Sequence, residues 1–131
     1  MSQLSIEVIL MRQLASYLAM PILLVDPAGT LLFYNEPTER LLDWRYGETG
    51  ELPLATWTRL FRLTTANGPP LALEARPLII ALQQHQAVHG AFGIQGRDGV
   101  ISKIEATAFP LEGQGGRQLG AVVIFWQADA P

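Results

Sequence analysis

Two histidines, His85 and His89, are the side chains in this 131-residue chain best suited to ligate a metal or move a proton near neutral pH. His85 follows Leu78 and Leu82 at helical spacing, so its imidazole could share their face and serve as an axial haem ligand. The competing reading puts His85 at a fraying helix end beside Gln83, Gln84 and Gln86, facing solvent. His89 begins the next strand. The acidic residues are scattered, and no pair stands at ligand spacing with a histidine. No Gly-flanked serine forms a nucleophile elbow, and no glycine cluster runs into the Gly-Lys-Ser/Thr of a phosphate loop. Cysteine is absent, which excludes disulfides, thiolate metal sites and cysteine nucleophiles. Catalysis is therefore not expected, and no cofactor is required.

The chain is the length of one domain, with apolar residues enough for a core. Charged residues make up 16%, the net charge is -3 and Lys103 is the single lysine, so a basic surface for nucleic acid or anionic membrane is not expected. Residues 8 to 25 are apolar-rich, but Arg12, Gln13, Ser16 and Pro21 interrupt them before a spanning length. The first charge is Glu7, whereas a secretory leader opens on positive charge. A cytoplasmic domain is expected.

The elements that must position these side chains begin with an amphipathic helix over residues 3 to 18. Leu4, Val8, Met11, Ala15 and Leu18 form one stripe; Leu10, Leu14 and Tyr17 form a second beside it. Ser2 can cap the first turn and Pro21 stops the helix. A sheet face could take one stripe and leave the other for a second copy, or both could be ordinary core. The dimer surface is expected on the first stripe. Pro21 to Val25 and Thr30 to Tyr34 flank Asp26-Pro27-Ala28-Gly29 and read as a hairpin. Asn35 can cap a helix from Glu36 to about Asp43, with Leu41 and Leu42 facing the core.

Residues 45 to 54 read as loop, a short helical piece surrounds Trp57, Leu60 and Phe61, and Asn67-Gly68-Pro69-Pro70 is a break. A third helix runs from about Glu74 or Pro77 to Gln84. Val88 to Gln95 is a strand, Asp98-Gly99 a tight turn, and Val100 to Phe109 a strand whose Lys103, Glu105 and Thr107 alternate with Ile104, Ala106 and Ala108. After Gly113-Gln114-Gly115-Gly116 comes Gly120 to Trp126, wholly apolar and rich in β-branched and aromatic residues. That composition fits a strand covered on both faces. The parity of Trp126 at its end is open. The order of elements indicates an α+β fold on an antiparallel sheet.

With these elements in place the chain resembles a PAS domain, a sensory and signalling module, from about Leu14 to Asp129. The resemblance rests on Ile22-Leu23-Leu24-Val25-Asp26-Pro27-Ala28-Gly29 and on Leu31-Leu32-Phe33-Tyr34-Asn35 with the helix after it. It continues through Arg76-Pro77-Leu78, Ala81-Leu82, Asp98-Gly99, Ala108-Phe109-Pro110-Leu111 and Gly120 to Phe125. It implies a five-stranded antiparallel sheet with short helices on one face enclosing a pocket. The N-terminal helix then packs on the other face and often mediates dimerisation. On that division residues 1–19 are the dimerisation helix and residues 20–129 the PAS-like body.

The pocket candidates are Leu42, Trp57, Leu60, Phe61, Leu78, Leu82, Phe92, Ile104, Val123 and Phe125, with His85 as the haem candidate. Trp44 is a further aromatic that could line a cavity or simply fill the core. The cysteine-dependent flavin and yellow-pigment photochemistries of the family are excluded, and no motif for non-covalent flavin is visible. The implied function is a non-catalytic module that dimerises and relays ligand or partner binding to an output domain such as a histidine kinase. That output domain lies in cis beyond Pro131 or in trans. A ligand-free dimerisation scaffold is the alternative, with a haem sensor or a small-molecule enzyme on the same frame behind it.

Overall fold

The computed structural model describes residues 6–65 and 68–127. Ser2, Leu4 and Asn67, expected as cap, stripe and break, lie outside them. Among the described residues the chain folds into a six-stranded antiparallel sheet ordered β2-β1-β6-β5-β4-β3. The strands are β1 Ile22–Val25, β2 Leu31–Tyr34, β3 Arg62–Thr64, β4 Val88–Gln95, β5 Ile101–Glu112 and β6 Gln118–Gln127. Helix α1, Ile6–Tyr17, lies on one face. Helices α2 Glu36–Leu42, α3 Tyr46–Thr49, α4 Leu54–Leu60 and α5 Pro77–Gln84 are grouped between β2 and β4, and the lid they form covers the other face.

The apolar closing segment is inside the sheet, between β1 and β5, and it pairs along the whole of β1 from Ile22↔Ile124 to Val25↔Ala121. Burial on both faces is the reason every side chain in its middle is apolar. Ala121, Val123 and Phe125 join the core under the lid, while Val122 and Ile124 pack under α1. Small residues of β5 stand opposite large ones of β6, as in Ala106↔Phe125 and Ala108↔Val123. The ladder shifts register between Leu111 and Glu112, which oppose Gly120 and Gln118. Gly120 there has φ +132, and a Cβ on it would collide with the carbonyl oxygen of Val25.

Three expectations change. The sheet has six strands because Arg62–Thr64 adds an edge beside Gly93 to Gln95; three residues are too few to show a period of two. Residues 45 to 54 contain a helical turn, α3, whose start is held by Arg45 N–H donating to the Glu48 carboxylate at 3.3 Å and whose end is Gly50 at φ +61. The middle of the stripe assigned to a second copy is buried against this chain's own sheet, while Leu18 at its end is exposed. Val8 and Ala15 are 3% and 1% exposed, and Met11 packs on the same cluster. The sheet face took the first stripe, so the second, with Leu10, Leu14 and Tyr17, is the exposed one.

Polar contacts pin α1 at both ends. Glu7 lies 3.9 Å from Arg117 and accepts from the Gln114 N–H at 3.4 Å. At the other end the Asn35 amide donates to Ala15 O and Met20 O at 3.0 and 2.9 Å. Asn35 Oδ1 meanwhile accepts from the N–H of Thr38, capping α2 as expected, and from Ile22 N–H and Thr38 Oγ1.

Candidate functional site

Between the sheet and the lid lies a cavity of about 50 Å³. Its sheet side is formed by side chains of β1, β3, β4 and β6, and its lid side by side chains of α2, α4 and α5. Leu42, Trp57, Phe61, Leu78, Phe92, Val123 and Phe125, all expected in a pocket, line it together with Leu23, Leu63, Arg76, Pro77 and Ile94. Leu60, Leu82 and Ile104 belong to the same core but not to the wall; Ile104 is 1% exposed and packed opposite Phe92. Trp44 also packs at the periphery of this core. The volume holds about one or two waters, far below the roughly 300–1,000 Å³ of an ordinary cofactor or drug-sized site.

His85 is not in the wall. It ends α5 in the left-handed conformation, φ 54 and ψ 43, and is exposed, because its N–H closes the last turn on Ala81 O and rotates the side chain off the Leu78–Leu82 face. The solvent-facing reading is the one the fold adopts, and neither the position of His85 nor the volume of the cavity suits an axial haem ligand. His89 is exposed on the α1 side of the sheet, 3.5 Å from Glu105 and with its ring 5.9 Å from that of Trp126. Trp126 thus shares the Val122–Ile124 face, the side of the sheet that carries α1, and is not in the cavity wall. Among the described residues no three acidic or histidine groups gather as a metal site, and no helix is long and apolar enough to cross a membrane.

The polar member of the wall is Arg76, 7% exposed. It stands just before Pro77 at the start of α5, and its guanidinium reaches the C-terminal end of α4, donating to Thr58 O at 3.0 Å and Phe61 O at 3.3 Å. The guanidinium carbon is 6.0 Å from the Trp57 ring centroid. Among the described residues no carboxylate pairs with it, and Nε finds no acceptor. Burial lowers its pKa, but a guanidinium stays protonated in proteins. The sequence reading missed it as a site residue. The available signal was a charged residue immediately ahead of the apolar run Pro77 to Leu82.

A row of aromatic rings leads from this wall round the β2 edge of the sheet. Trp57 contacts Phe61, Phe61 contacts Tyr34, Tyr34 contacts Tyr46 and Tyr46 contacts Phe33, with centroids 6.3, 5.6, 5.4 and 5.2 Å apart. Arg12 of α1 then sits 5.1 Å over Phe33. Burial raises the Tyr34 and Tyr46 phenols above their ordinary pKa, and Tyr34 is hydrogen-bonded to Thr49 Oγ1 at 3.0 Å.

Solved structures superpose on this fold along nearly the whole chain. The PAS domain of a protein from Colwellia psychrerythraea is 18% identical over 92% of this chain and 96% of that one, with a TM-score of 0.64. The PAS domain of nitrogen regulation protein NR(II) from Vibrio parahaemolyticus is 20% identical over 91% and 98%, with a TM-score of 0.63. The chain has the PAS fold. The PAS domain of the fruit-fly ELK potassium channel superposes with a TM-score of 0.71 at 7% identity, over 92% of this chain and 95% of that one. The backbone of the PAS fold is thus retained where side chains have almost wholly changed. No family model and no curated protein matches the sequence.

Proposed function

We propose that this PAS fold is a non-catalytic sensory module that relays occupancy of its cavity to an output domain such as a histidine kinase, in cis or in trans, and works as a homodimer through α1. In this reading residues 1–19 are the dimerisation segment and residues 20–129 the sensory body. The observation that carries it is the two-sidedness of β6: Val123 and Phe125 line the cavity, while Val122 and Ile124 lie under α1. A side chain that moves the strand from one side displaces what is packed on the other, because cores are too dense to absorb the shift. The aromatic row from Trp57 to Arg12 offers a second contiguous route.

The kinship in fold supports the output class, since the solved PAS structures include one from a two-component sensor histidine kinase. The dimer is supported by a stripe of Ile6, Leu10, Leu14 and Tyr17, which are 68%, 56%, 52% and 79% exposed. No charge interrupts it, because Glu7 turns to Arg117 and Arg12 to Phe33. A second identical stripe is its natural cover, and this is the reading preferred to a filled-core scaffold.

The relay is tested by amide hydrogen exchange in α1 after Val123→Ala, compared with Ile79→Val, a buried change within α5 outside the cavity wall. Exchange in α1 rises several-fold more in Val123→Ala than in the control at matched stability. Equal α1 exchange in the two variants would sink the relay.

A further inference from the structure

We propose that the cavity is a dry site for an uncharged, apolar molecule of the size of dioxygen. The proposal deepens the sensory reading and rests on it, by naming the chemical class whose occupancy the fold reports.

Water is the first competitor for the space, and the wall gives it nothing to bond. The surface that faces the cavity is almost wholly hydrocarbon, from side chains such as Leu23, Leu42, Phe92 and Phe125. Two polar side chains stand in the wall, and their bonds run elsewhere. The Trp57 indole N–H donates to Gly29 O at 2.8 Å. Arg76 donates to Thr58 O and Phe61 O at 3.0 and 3.3 Å, and its Nε is enclosed by neighbouring atoms. A buried water typically makes about three hydrogen bonds, and cavities that stay empty are apolar ones. Water fits this space by size and is refused by chemistry, because its own donors and acceptors would go unmet. An ion is refused more strongly for the same reason.

Size then limits what an apolar guest can be. The volume of about 50 Å³ exceeds the ~30 Å³ share of one water and excludes a ring or a chain of several carbons. Dioxygen has two heavy atoms, no charge and no need of a hydrogen bond. Its gain on entry is dispersion, since atoms lining a void lack partners on one side and regain them when it is filled. Those contacts exist only while α4 and α5 are closed over β6. A lid that loosens lets water reach the wall and forfeits them, so the guest binds the closed form better, as a sensor requires. The guest also lies against Val123 and Phe125, on the strand whose other face carries α1.

The test places the methyl-labelled full chain under xenon pressure and then under dioxygen. Xenon is a single apolar atom, and the unpaired electrons of dioxygen speed the relaxation of protons that it touches. The signals followed are the methyls of Leu23, Leu78 and Val123 in the wall. The references are those of Leu24, Leu32 and Val122, which are buried in the cluster under α1. Xenon shifts the wall methyls saturably, and dioxygen relaxes them several-fold faster than the references. Absence of a saturable xenon shift overturns the proposal. So does equal relaxation of the two sets by dioxygen, or magnetisation transfer from a bound water to the wall methyls, which would mean that the cavity is wet. Val123→Ile puts one more carbon on a wall side chain and abolishes the xenon shift, and a shift that persists overturns the proposal. Should that variant fail to fold, the wild-type comparison decides by itself. The Val123→Ala exchange experiment needs no ligand. Both gases failing while α1 exchange still responds therefore removes the ligand class and leaves the sensory reading standing.

Discussion

Asn35 donates from its amide to the carbonyl oxygen of Ala15 at 3.0 Å, across twenty residues of sequence. Ala15 is in α1, on the outer face of the sheet, while Asn35 caps α2 on the lid side. One buried side chain, 2% exposed, therefore joins α1 on one face of the sheet to α2, whose Leu42 walls the cavity on the other. Its Oδ1 also accepts the Ile22 N–H at the start of β1.

Asn35→Ala is expected to lower stability by roughly 3 kcal/mol, more than the ~1 kcal/mol of an N-cap alone, because the buried N–H of Ile22 loses its side-chain acceptor and the carbonyls of Ala15 and Met20 each lose a donor. Urea unfolding measures the loss, and hydrogen exchange should show α1 loosened first. A deficit near 1 kcal/mol would reduce Asn35 to a simple cap.

The double change Leu10→Asp with Leu14→Asp is expected to give a monomer by sedimentation velocity with stability per subunit within about 1 kcal/mol of wild type, since both side chains are half exposed. Val8→Asp, by contrast, buries a charge at a position 3% exposed and should cost about 3 kcal/mol or more. Monomeric wild type at micromolar concentration would remove α1 as a dimer surface.

Gly120→Ala is expected to cost about 3 kcal/mol or to prevent folding, because its Cβ meets the Val25 carbonyl at φ +132, in the seam between β1 and β6. Gly116→Ala, at φ +73 with open space around it, should cost only about 1 kcal/mol. Similar thermal midpoints for the two would show that the seam gives way.

His85→Gly is expected to raise stability by about 0.5–1 kcal/mol, since a non-glycine residue holds the left-handed position that ends α5. Protein mixed with haem should show no Soret band that depends on His85. Such a band would restore the histidine as a ligand.

The alkaline limb of stability should belong to Tyr34 and Tyr46. Burial holds both phenols above the ordinary tyrosine value of 10.0, so the folded state binds these protons more tightly than the unfolded chain. Their contribution is complete below about pH 10 and is lost as pH rises through the raised values. Urea midpoints measured from pH 8 to 11 should fall less steeply in Tyr34→Phe and in Tyr46→Phe than in wild type.

Much of the scaffold was legible in the residues. The apolar run from Gly120 to Trp126 and the Asp26-Pro27-Ala28-Gly29 turn each carry a local chemical reason for one conformation, and the chain adopts both. The site was legible only as a set of apolar positions. Leu42, Trp57 and Phe92 came together because each faces its element's core side, whereas Leu60 and Leu82 have the same composition but sit a fraction of a helical turn away from the wall.

By itself the sequence determined the α+β order, the hairpin, the central place of the last strand and the breadth of apolar surface on α1, because periodicity and turn chemistry act over a few neighbouring residues. Only the tertiary structure decided which α1 stripe meets the sheet, which face Trp126 takes, that Arg62–Thr64 forms an edge strand and that Arg76 is buried without a carboxylate. Those outcomes depend on which surfaces meet across the fold, and two equally apolar stripes or one lone arginine carry no local mark of what will cover them.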